Sequence, residues 1–399
     1  MKIAIIQNVP INDHRMVHTH GVATELARRG HRVDAIIQKS SEPPQFENTD
    51  YGIVELPGRS YSIAGQISFM INLLRHLSKN CYDLLHCKNP FSSLVPCLLH
   101  RWTSPCKVIY DIRGLWVDFA QHSGEMHPFL CSALKWFDVS LMNLCDTVIA
   151  ISPELKRILE GRGVKKNLIK VLVGDGVKIP EKVPCNIEDG LVGYIGTISV
   201  DRRTDRILEA FSLLINEMCT AAHLLMIGPI KRGEAAHFTH LVEELGLADN
   251  VTFTGFMDHQ SALDVLPRLD VAVAFHEGDA PIFNVAVPTK ILEYLAHGCC
   301  IVASDQVMYR NILTDKHDAI LTPQTPKGLA TGMRKALQDK ECNFRLRANA
   351  RITAENYTTE KQVESLEKIY GALVSEGTVN WDQMILHDDV PAMVKHASP

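Results

Sequence analysis

Short apolar runs alternate with helical stretches along the first 180 residues of the chain. The apolar runs are KIAIIQ, RVDAIIQ, DLLHC, KVIYDI, TVIAIS and IKVLVGDGV, and the stretches GVATELARRG and PELKRILEGRG lie between them. Strands that are apolar throughout and separated by amphipathic helices are typical of a parallel sheet covered on both faces. The pattern therefore predicts an α/β fold, with one Rossmann-like domain over residues 1–180.

The segment KIPEKVPCNIEDG, residues 178–190, interrupts this alternation because it is rich in proline and charge. Such a break predicts a linker. After it the alternation restarts, running from LVGYIGTI through AHLLMIG, VTFTGF and VAVAFH to CCIVAS, with helical stretches in between. A second Rossmann-like domain is therefore predicted over residues 190–355.

The end of the chain predicts one long helix followed by a tail. In TTEKQVESLEKIYGALVSEG, Thr359 precedes Gln362 by three residues, which is the spacing of a capping box. Apolar residues then recur at helical spacing: Val363, Leu366, Ile369, Tyr370 and Leu373. We expect a closing helix over residues 356–375, and a tail over 376–399 that is disordered or lies on the surface.

Composition places the chain among soluble globular proteins. Its 399 residues are too many for one ordinary core and suit two domains. The 11 cysteines are scattered without a C-x-x-C pair, so we interpret them as free thiols of a reducing cytosol, with Cys299 and Cys300 in the core. The first apolar run is too short for a signal peptide, and no run of about 18 apolar residues predicts a membrane span.

Charge is distributed unevenly along the chain. The net charge is −5, yet residues 1–180 carry 21 Lys and Arg against 16 Asp and Glu, whereas the remainder carries 20 against 30. A basic first half is consistent with an anionic acceptor or a peripheral membrane contact on the first domain. An ordinary solvated surface would explain the same excess.

The stretch VAVPTKILEYLAHG places two charges near the start of a predicted helix. Pro288 suits the first helical turn, and Gly298 suits the position just past the helix end. Three apolar residues form an inward-facing stripe: Ile291, Leu292 and Leu295. Lys290 and Glu293 then face away from the core, near the free N–H groups of the first turn. A lysine beside a helix start favours an anion site, and a solvated ion pair is the alternative.

A second helix start follows the predicted strand GYIGTI and carries two arginines, Arg202 and Arg203, in SVDRRTD. An arginine there can bind a phosphate through two hydrogen bonds, although arginines are equally ordinary in surface loops. Two such helix starts in one domain together predict a diphosphate. The chain has neither a GxGxxG fingerprint nor a GxxxxGK[ST] P-loop, which leaves a diphosphate used as a leaving group or handle.

These motifs resemble, in their order along the chain, the GT-B glycosyltransferases of the large retaining family 4. The resemblance rests on HGVATELARRGHRV, KVIYDIRGLWVD and CDTVIAISPELKRIL in the first half, and on YIG followed by arginine, PTKILEYLAHG and SLEKIYGAL in the second. It implies two Rossmann-like domains that face each other across a cleft. It also implies a nucleotide-sugar donor, expected to carry UDP, and transfer with retention.

Carried onto this chain, the resemblance implies roles for three charged residues. Arg202 and Lys290 would hold the donor diphosphate, and Glu293 would accept hydrogen bonds from two ribose hydroxyls. Further donor-binding residues are expected around them: Gly196, Thr197, Arg203, His276, Glu277, Asn284, Pro288 and Thr289.

The sequence departs from the family at two positions of this pocket. Val285 stands where a second glutamate usually contacts the transferred sugar, and Thr197 stands where an arginine often follows the YxG motif. Asn284, Glu277 or His276 could take over the sugar contact. The departures leave the identity of the donor sugar open and do not affect the diphosphate.

Acceptor-binding residues are expected in the first domain: His14, His18, Gly21, Arg113 and Trp116. The histidines of NDHRMVHTHG follow the first strand, where one of them could act as a base in an inverting variant, and a solvated loop is the alternative. As a metal site the stretch is poor, because His18 and His20 do not share a helical face. Arg113 and Trp116 are either an acceptor platform or a structural arginine and a core tryptophan.

The sequence thus predicts a cytoplasmic, metal-independent hexosyltransferase that needs no cofactor beyond its nucleotide-sugar co-substrate. The chain contains no D-x-D motif, which is consistent with a metal-free mechanism. A lipid-linked or cell-surface glycan is the expected acceptor, a small natural-product aglycone is the alternative, and no nucleic acid is expected among the partners. Two other functions stay open: a nucleotide-sugar epimerase and a catalytically silent nucleotide-sugar-binding protein.

Overall fold

Two parallel sheets, each with helices packed around it, make up the computed structural model of the chain. It describes residues 1–13, 15–41, 49–59, 62–122, 124, 126–184, 186–217, 221–278 and 284–375. His14 and the predicted tail 376–399 lie outside the described residues. Within these ranges, no helix is both long enough and apolar enough to cross a membrane.

The first sheet contains seven strands among the described residues. They are β1 (Lys2–Pro10), β2 (Arg32–Gln38), β3 (Gly52–Leu56), β4 (Leu84–Cys87), β5 (Lys107–Ile112), β6 (Thr147–Ala150) and β7 (Ile169–Val171). The helices between them are α1 (Met16–Arg28), α2 (Ile63–Leu77), α3 (Val95–Arg101), α4 (Trp116–His122), α5 (Pro128–Met142) and α6 (Pro153–Gly161). The strand order is β3-β2-β1-β4-β5-β6-β7 with every pair parallel, which confirms the predicted Rossmann-like domain.

The second sheet contains six strands in the described part of the chain. They are β8 (Leu191–Ile195), β9 (His223–Ile227), β10 (Val251–Gly255), β11 (Val271–Ala274), β12 (Ile301–Ser304) and β13 (Ala319–Thr322). The helices of this part are α7 (Thr204–Ser212), α8 (Ala235–Glu244), α9 (His259–Val265), α10 (Thr289–Ala296), α11 (Val307–Arg310), α12 (Pro326–Gln338) and α13 (Lys340–Ala354). The order β10-β9-β8-β11-β12-β13 is again parallel, as predicted. Cys299 and Cys300 precede β12 and are fully buried, which confirms their place in the core.

The chain divides into two compact units. One comprises Met1–Gly176 with the residues from Thr359 onward, and the other is Val177–Thr358. The predicted domain limits at 180 and 355 lie within a few residues of these divisions. The predicted linker 178–190 belongs to the second unit.

The closing helix α14 (Thr359–Val374) packs on α1 in the first unit. Its predicted apolar positions are buried there: Val363, Leu366, Ile369 and Tyr370. The predicted capping box is wrong, because the Gln362 side chain turns away from the helix end. Its Nε2 donates to the Gly174 carbonyl at 2.7 Å, and its Oε1 lies 3.0 Å from His18 Nε2. Gln362 therefore ties the closing helix to the first unit.

The second sheet brings two loops to one edge. Strands β8 and β11 are parallel neighbours, so their carboxyl ends lie side by side. The chain after β8 leads through Arg202 and Arg203 into α7, and the chain after β11 leads to Lys290 in α10. This edge is where ligands bind in open α/β sheets, so the predicted donor residues converge on it.

Candidate functional site

Helix α10 has the predicted form with one shift at its start. Pro288 is the residue that caps the helix, with φ −70° and ψ 119°, so it lies one position before the first turn instead of within it. Gly298 follows the helix end with φ +61°, a conformation that favours glycine, as predicted. The inward stripe is confirmed, since its members are fully buried: Ile291, Leu292 and Leu295.

Lys290 is a cation held over an aromatic ring. Its Nζ lies 3.8 Å from the centre of the Tyr194 ring, and a Cβ on Gly196 would lie 3.0 Å from the same nitrogen. Among the described residues, no carboxylate lies within ion-pair distance of it. Burial, and then the charge of Arg202, lower the pKa of Lys290 to about 7, although Glu293 acts in the opposite direction. An anion placed here would therefore stabilise a cation that the protein itself leaves poorly compensated.

The prediction that Glu293 faces away from the core is wrong, because only 8% of its surface is exposed. His259 Nε2 donates to its Oε1 at 2.7 Å, and this hydrogen bond raises the pKa of His259. The other carboxylate oxygen accepts no hydrogen bond from the described residues. A carboxylate oriented through one oxygen can accept hydroxyl hydrogen bonds with the other.

The two predicted arginines have different surroundings. Arg203 precedes α7 in the left-handed conformation, φ 56°, and its Nε lies 3.3 Å from Glu277 Oε1. Arg206 Nε also approaches that oxygen, at 3.5 Å. Arg202 is exposed, and in the described part of the chain no carboxylate lies within 4 Å of its guanidinium. Among the described residues of this edge, Arg202 and Lys290 are thus cations without a carboxylate in ion-pair distance, whereas Arg203 is paired with Glu277.

The proposed sugar-contacting residues are also unequal. His276 is buried, and burial followed by the charge of Arg203 lowers its pKa to about 4, so its imidazole is neutral at pH 7. Glu277 is committed to the arginines. Asn284 is half-buried, and Val285 beside it is fully buried in the core. Of the three candidates, Asn284 is a neutral amide that can both donate and accept hydrogen bonds.

Three further predicted donor-binding residues lie at the edges of these loops: Thr197, Thr289 and Gly196. Thr197 is half-buried, and its carbonyl accepts a hydrogen bond from the Tyr194 hydroxyl at 3.2 Å. Thr289 is exposed at the first position of α10. Gly196 has φ +134°, and its carbonyl oxygen would lie 2.3 Å from a Cβ on Gly228. Glycine at both positions therefore allows the ends of β8 and β9 to approach closely.

A charged cluster lies at the carboxyl ends of β4 and β5 in the first unit. Asp111 is fully buried and accepts from Arg113 at 2.7 Å and from His86 Nε2 at 3.1 Å, with Lys88 Nζ at 3.6 Å. Burial alone would raise the pKa of Asp111, but the charges of Arg113 and Lys88 and the hydrogen bond from His86 hold it well below its usual range. Tyr370 of the closing helix donates to His86 Nδ1 at 2.6 Å. The cluster joins the sheet to α14.

The predicted acceptor residues of α1 belong to this packing. Lys88 Nζ donates to His18 Nδ1 at 2.6 Å, and burial, then the Lys88 charge, lower the pKa of His18 well below its usual value. His20 Nδ1 instead lies 3.0 Å from the Tyr51 hydroxyl, so the two histidines face different sides, as predicted. Gly21 lies inside α1, where a Cβ would sit 3.5 Å from Thr359 Cγ2. Gly21, expected to bind the acceptor, is therefore part of a helix that packs on Thr359.

Arg113 and Trp116 are both engaged by the protein. Arg113 donates to the Gly174 carbonyl at 2.9 Å and to Asp175 Oδ1 at 2.7 Å, in addition to Asp111. Trp116 is half-buried and meets Phe91 edge-on, with 5.3 Å between ring centres. These contacts favour the structural interpretation of both residues over an acceptor platform.

The sequence analysis assigned no site role to several residues of the donor edge and of the Asp111 cluster: His259, Tyr194, Lys88, Asp111, His86 and Tyr370. Lys88 and Asp111 stand at the ends of buried strands, so the strand-end rule that selected Arg202 would also have selected them. His259 gave no such signal, because its partner is 34 residues away. In the described part of the chain, no group of three or more His, Cys, Asp or Glu residues could hold a metal ion.

Comparison with known families matches both halves of the chain. The family described as Glycosyltransferase Family 4 matches residues 17–173, and the one described as Glycosyl transferases group 1 matches residues 189–339. Among curated proteins, the putative glycosyltransferase EpsD of Bacillus subtilis is 23% identical over 318 residues, which is 74% of this chain and 78% of EpsD.

Solved structures share the fold at low sequence identity. Sucrose-phosphate synthase from Thermosynechococcus elongatus superposes with a TM-score of 0.77 at 18% identity, covering 94% of this chain and all of that one. HepE of Anabaena, solved in complex with UDP and glucose, superposes with a TM-score of 0.72 at 16% identity, covering 93% of this chain and all of HepE.

Proposed function

The chain belongs to the GT-B glycosyltransferases of family 4, and on this premise we propose that it transfers a hexose or N-acetylhexosamine from a UDP-sugar to an acceptor hydroxyl with retention. The observation that carries the donor part is the pair of uncompensated cations, Lys290 and Arg202, at the ends of neighbouring strands. Their charges suit a diphosphate that becomes more negative as it leaves the sugar. The presence of UDP in the HepE complex supports uracil as the base.

Each donor residue then has a defined part in the proposed reaction. Lys290 and Arg202 stabilise the departing diphosphate, and Glu293, oriented by His259, accepts hydrogen bonds from the ribose hydroxyls. In a retaining transfer of this kind, the leaving diphosphate takes the acceptor proton on the same face of the sugar. The protein then contributes positioning and electrostatic stabilisation, and no dedicated base is required. This agrees with His18, whose Nδ1 already accepts from Lys88.

The proposed acceptor is a lipid-linked or cell-surface glycan, and the proposed location is the cytoplasm with peripheral contact to the inner face of the membrane. The basic balance of residues 1–180 supports an anionic acceptor or surface on the first unit. A small-molecule acceptor is the second candidate. The similar sucrose-phosphate synthase is named for a product, sucrose phosphate, that is itself a small molecule.

Ligand-dependent stabilisation tests the proposed donor. A thermal-shift panel of UDP, GDP, ADP and their sugars should show the largest shift for UDP and UDP-sugars, since a ligand at a hundred times its dissociation constant stabilises by about 2.7 kcal/mol. Incubation with the UDP-sugar and no acceptor, followed by mass and NMR analysis of the sugar, separates the alternatives. An epimerised sugar would identify an isomerase. Binding without release of UDP in the presence of any acceptor would identify a silent binding protein.

Metal independence is a separate proposal. It rests on the absence of a D-x-D motif and on two cations that can offset a diphosphate. We expect transfer activity to survive exhaustive treatment with EDTA and to change little on addition of Mg²⁺ or Mn²⁺. Complete loss that either metal restores would contradict the proposal.

Asn284 is predicted to contact the transferred sugar. Val285 cannot accept a hydrogen bond, and a buried hydroxyl left unpaired costs about 1–3 kcal/mol, so a polar neighbour must serve the sugar. Asn284→Ala should lower turnover about tenfold or more while leaving the affinity for UDP nearly unchanged, because UDP lacks the sugar. Titrations with UDP and with UDP-sugar, run side by side, measure the difference. Equal losses for both ligands, or none for either, would remove Asn284 from the sugar site.

A further inference from the structure

Helix α2 carries an apolar stripe that faces solvent. Ile63, Ile67 and Ile71 recur every four residues, with 81%, 51% and 44% of their surfaces exposed. The opposite side of the helix supplies Phe69 and Leu73 to the core of the first unit. The helix therefore has two apolar faces, and the described residues cover only one of them.

Two exposed basic residues follow the apolar stripe towards the C-terminal end of α2. Arg75 lies one further turn along the same line and is exposed, and Lys79 is exposed just beyond the helix end. From residue 62 to residue 80 the chain contains no Asp or Glu. The exposed side of α2 is thus apolar at one end and cationic at the other.

Helix α5 and the turn after α3 carry a second exposed apolar group. Phe129 and Trp136 are 80% and 72% exposed on α5, and Trp102, just after α3, is 80% exposed. Leu130 and Phe137 of α5 are also exposed. Residues 84–110 and 128–137 contain no acidic residue either. Two of the four tryptophans of the chain therefore stand in solvent within segments free of negative charge.

These helices form one surface. Helix α2 packs on α3 and on the π-helical turn Pro90–Leu94, and α5 packs on the same turn through Phe91, whose ring stacks on Phe137 with 5.8 Å between centres. Of the seventeen large apolar side chains that stand exposed in the described residues, eleven lie on α2 to α5 or just after α3 and α5. We call this surface the α2–α5 face. Single exposed apolar residues are ordinary, but such a concentration indicates an interaction surface.

We propose that the α2–α5 face lies on the surface of a bilayer that contains anionic lipid. Its isoleucines and aromatic side chains would enter the boundary between headgroups and acyl chains, and the exposed tryptophans suit that boundary because their rings are amphipathic. Arg75 and Lys79 would meet the negative surface potential. A second copy of this chain fits less well, because a two-fold contact centred on α2 would bring Arg75 and Lys79 of the two copies together, and residues 62–80 contain no Asp or Glu to pair them.

This proposal names the residues that would make the peripheral membrane contact proposed above. It does not depend on which nucleotide-sugar the protein binds. Binding to a bilayer would persist in a variant that no longer binds UDP. Conversely, loss of bilayer binding should leave the UDP-induced thermal shift unchanged. The two proposals can therefore fail separately.

Sedimentation of the full chain with vesicles tests it. The parent should sediment with phosphatidylcholine vesicles that contain phosphatidylglycerol, and less with phosphatidylcholine alone or at high salt. The double variant Ile67→Ser, Trp136→Ser should reduce the bound fraction at least about tenfold, as should Arg75→Glu, Lys79→Glu, because each buried apolar group or cation contributes to binding. The matched control is Phe256→Ser, since Phe256 is 81% exposed in the second unit and should not matter.

The melting temperature and the circular dichroism spectrum of each ligand-free variant report whether it is folded. A parent that sediments with neither vesicle, or variants that are folded and sediment like the parent, would overturn the proposal. A parent that forms dimers in solution, with the double variants monomeric and no vesicle binding in either, would assign the face to a second copy and would equally overturn it.

Discussion

Replacing Lys290 or Arg202 by alanine is expected to weaken UDP binding about tenfold or more and to lower turnover with it. A hydrogen bond to a charged group contributes roughly 1.5–3 kcal/mol, and among the described residues neither cation has a carboxylate in ion-pair distance at the edge where β8 and β11 end. Because the diphosphate is present in the substrate and more negative in the transition state, both binding and kcat should fall. Calorimetric titration with UDP and steady-state kinetics with the UDP-sugar measure the two effects.

The melting temperature of the same variants gives a readout that is independent of UDP binding. Lys290 is poorly solvated and has no carboxylate within ion-pair distance among the described residues, so its removal should not lower the melting temperature of the ligand-free protein. Lys335→Ala, which removes an exposed lysine of α12, is the control for a change of net charge. Variants of both Lys290 and Arg202 that bind UDP like the parent would place the diphosphate elsewhere.

The sheets could be predicted from the sequence because their strands are buried on both faces. The strands β1, β6 and β12 are mostly apolar, and all of their residues except the two ends of β1 are buried. The edge strand β3 was not predicted, because it lacks this burial: most of its residues are exposed or half-buried. Helix α2 escaped because its solvent face is apolar as well, so no polar stripe marks it as amphipathic.

The backbone around α10 was also predictable, since local rules place a proline at its start and glycine at its end. The partners of the side chains were not. Glu293 is bonded by His259 on another helix, and Gln362 reaches His18, 344 residues away, where the local rule expected a cap. Such pairings are decided by which elements pack together, and helical spacing carries no information about that.

The pairing of Glu277 shows how this changes a functional interpretation. From sequence it was one of three equivalent candidates for the sugar contact. With Arg203 and Arg206 both directed at its carboxylate, it is better suited to keep Arg203 from competing for the diphosphate. The net result is a site in which positive charge is concentrated on Arg202 and Lys290.

The affinity for UDP is expected to fall as the pH rises above 7, and binding should take up a proton. In the empty site the pKa of Lys290 is about 7, so at pH 8 its amine is mostly neutral. The diphosphate favours the charged amine and therefore raises this pKa in the complex. Between the two pKa values the complex holds one more proton than the free protein, and the affinity should fall by up to about tenfold per pH unit. Below pH 7 this lysine is already charged and contributes no further pH dependence.

Calorimetric titrations at pH 8, in buffers with different ionisation enthalpies, measure the proton uptake. Lys290→Met should abolish it and flatten the pH profile, because methionine keeps the contact with the Tyr194 ring but cannot titrate. Arg202→Ala should weaken binding and also move the profile to higher pH, because the charge of Arg202 is one cause of the low pKa of Lys290. Unfolding of a variant would not flatten the pH profile of UDP affinity or move it to higher pH. If Lys290→Met takes up as many protons as the parent, the titrating group is another residue, and Lys290 does not contact the diphosphate.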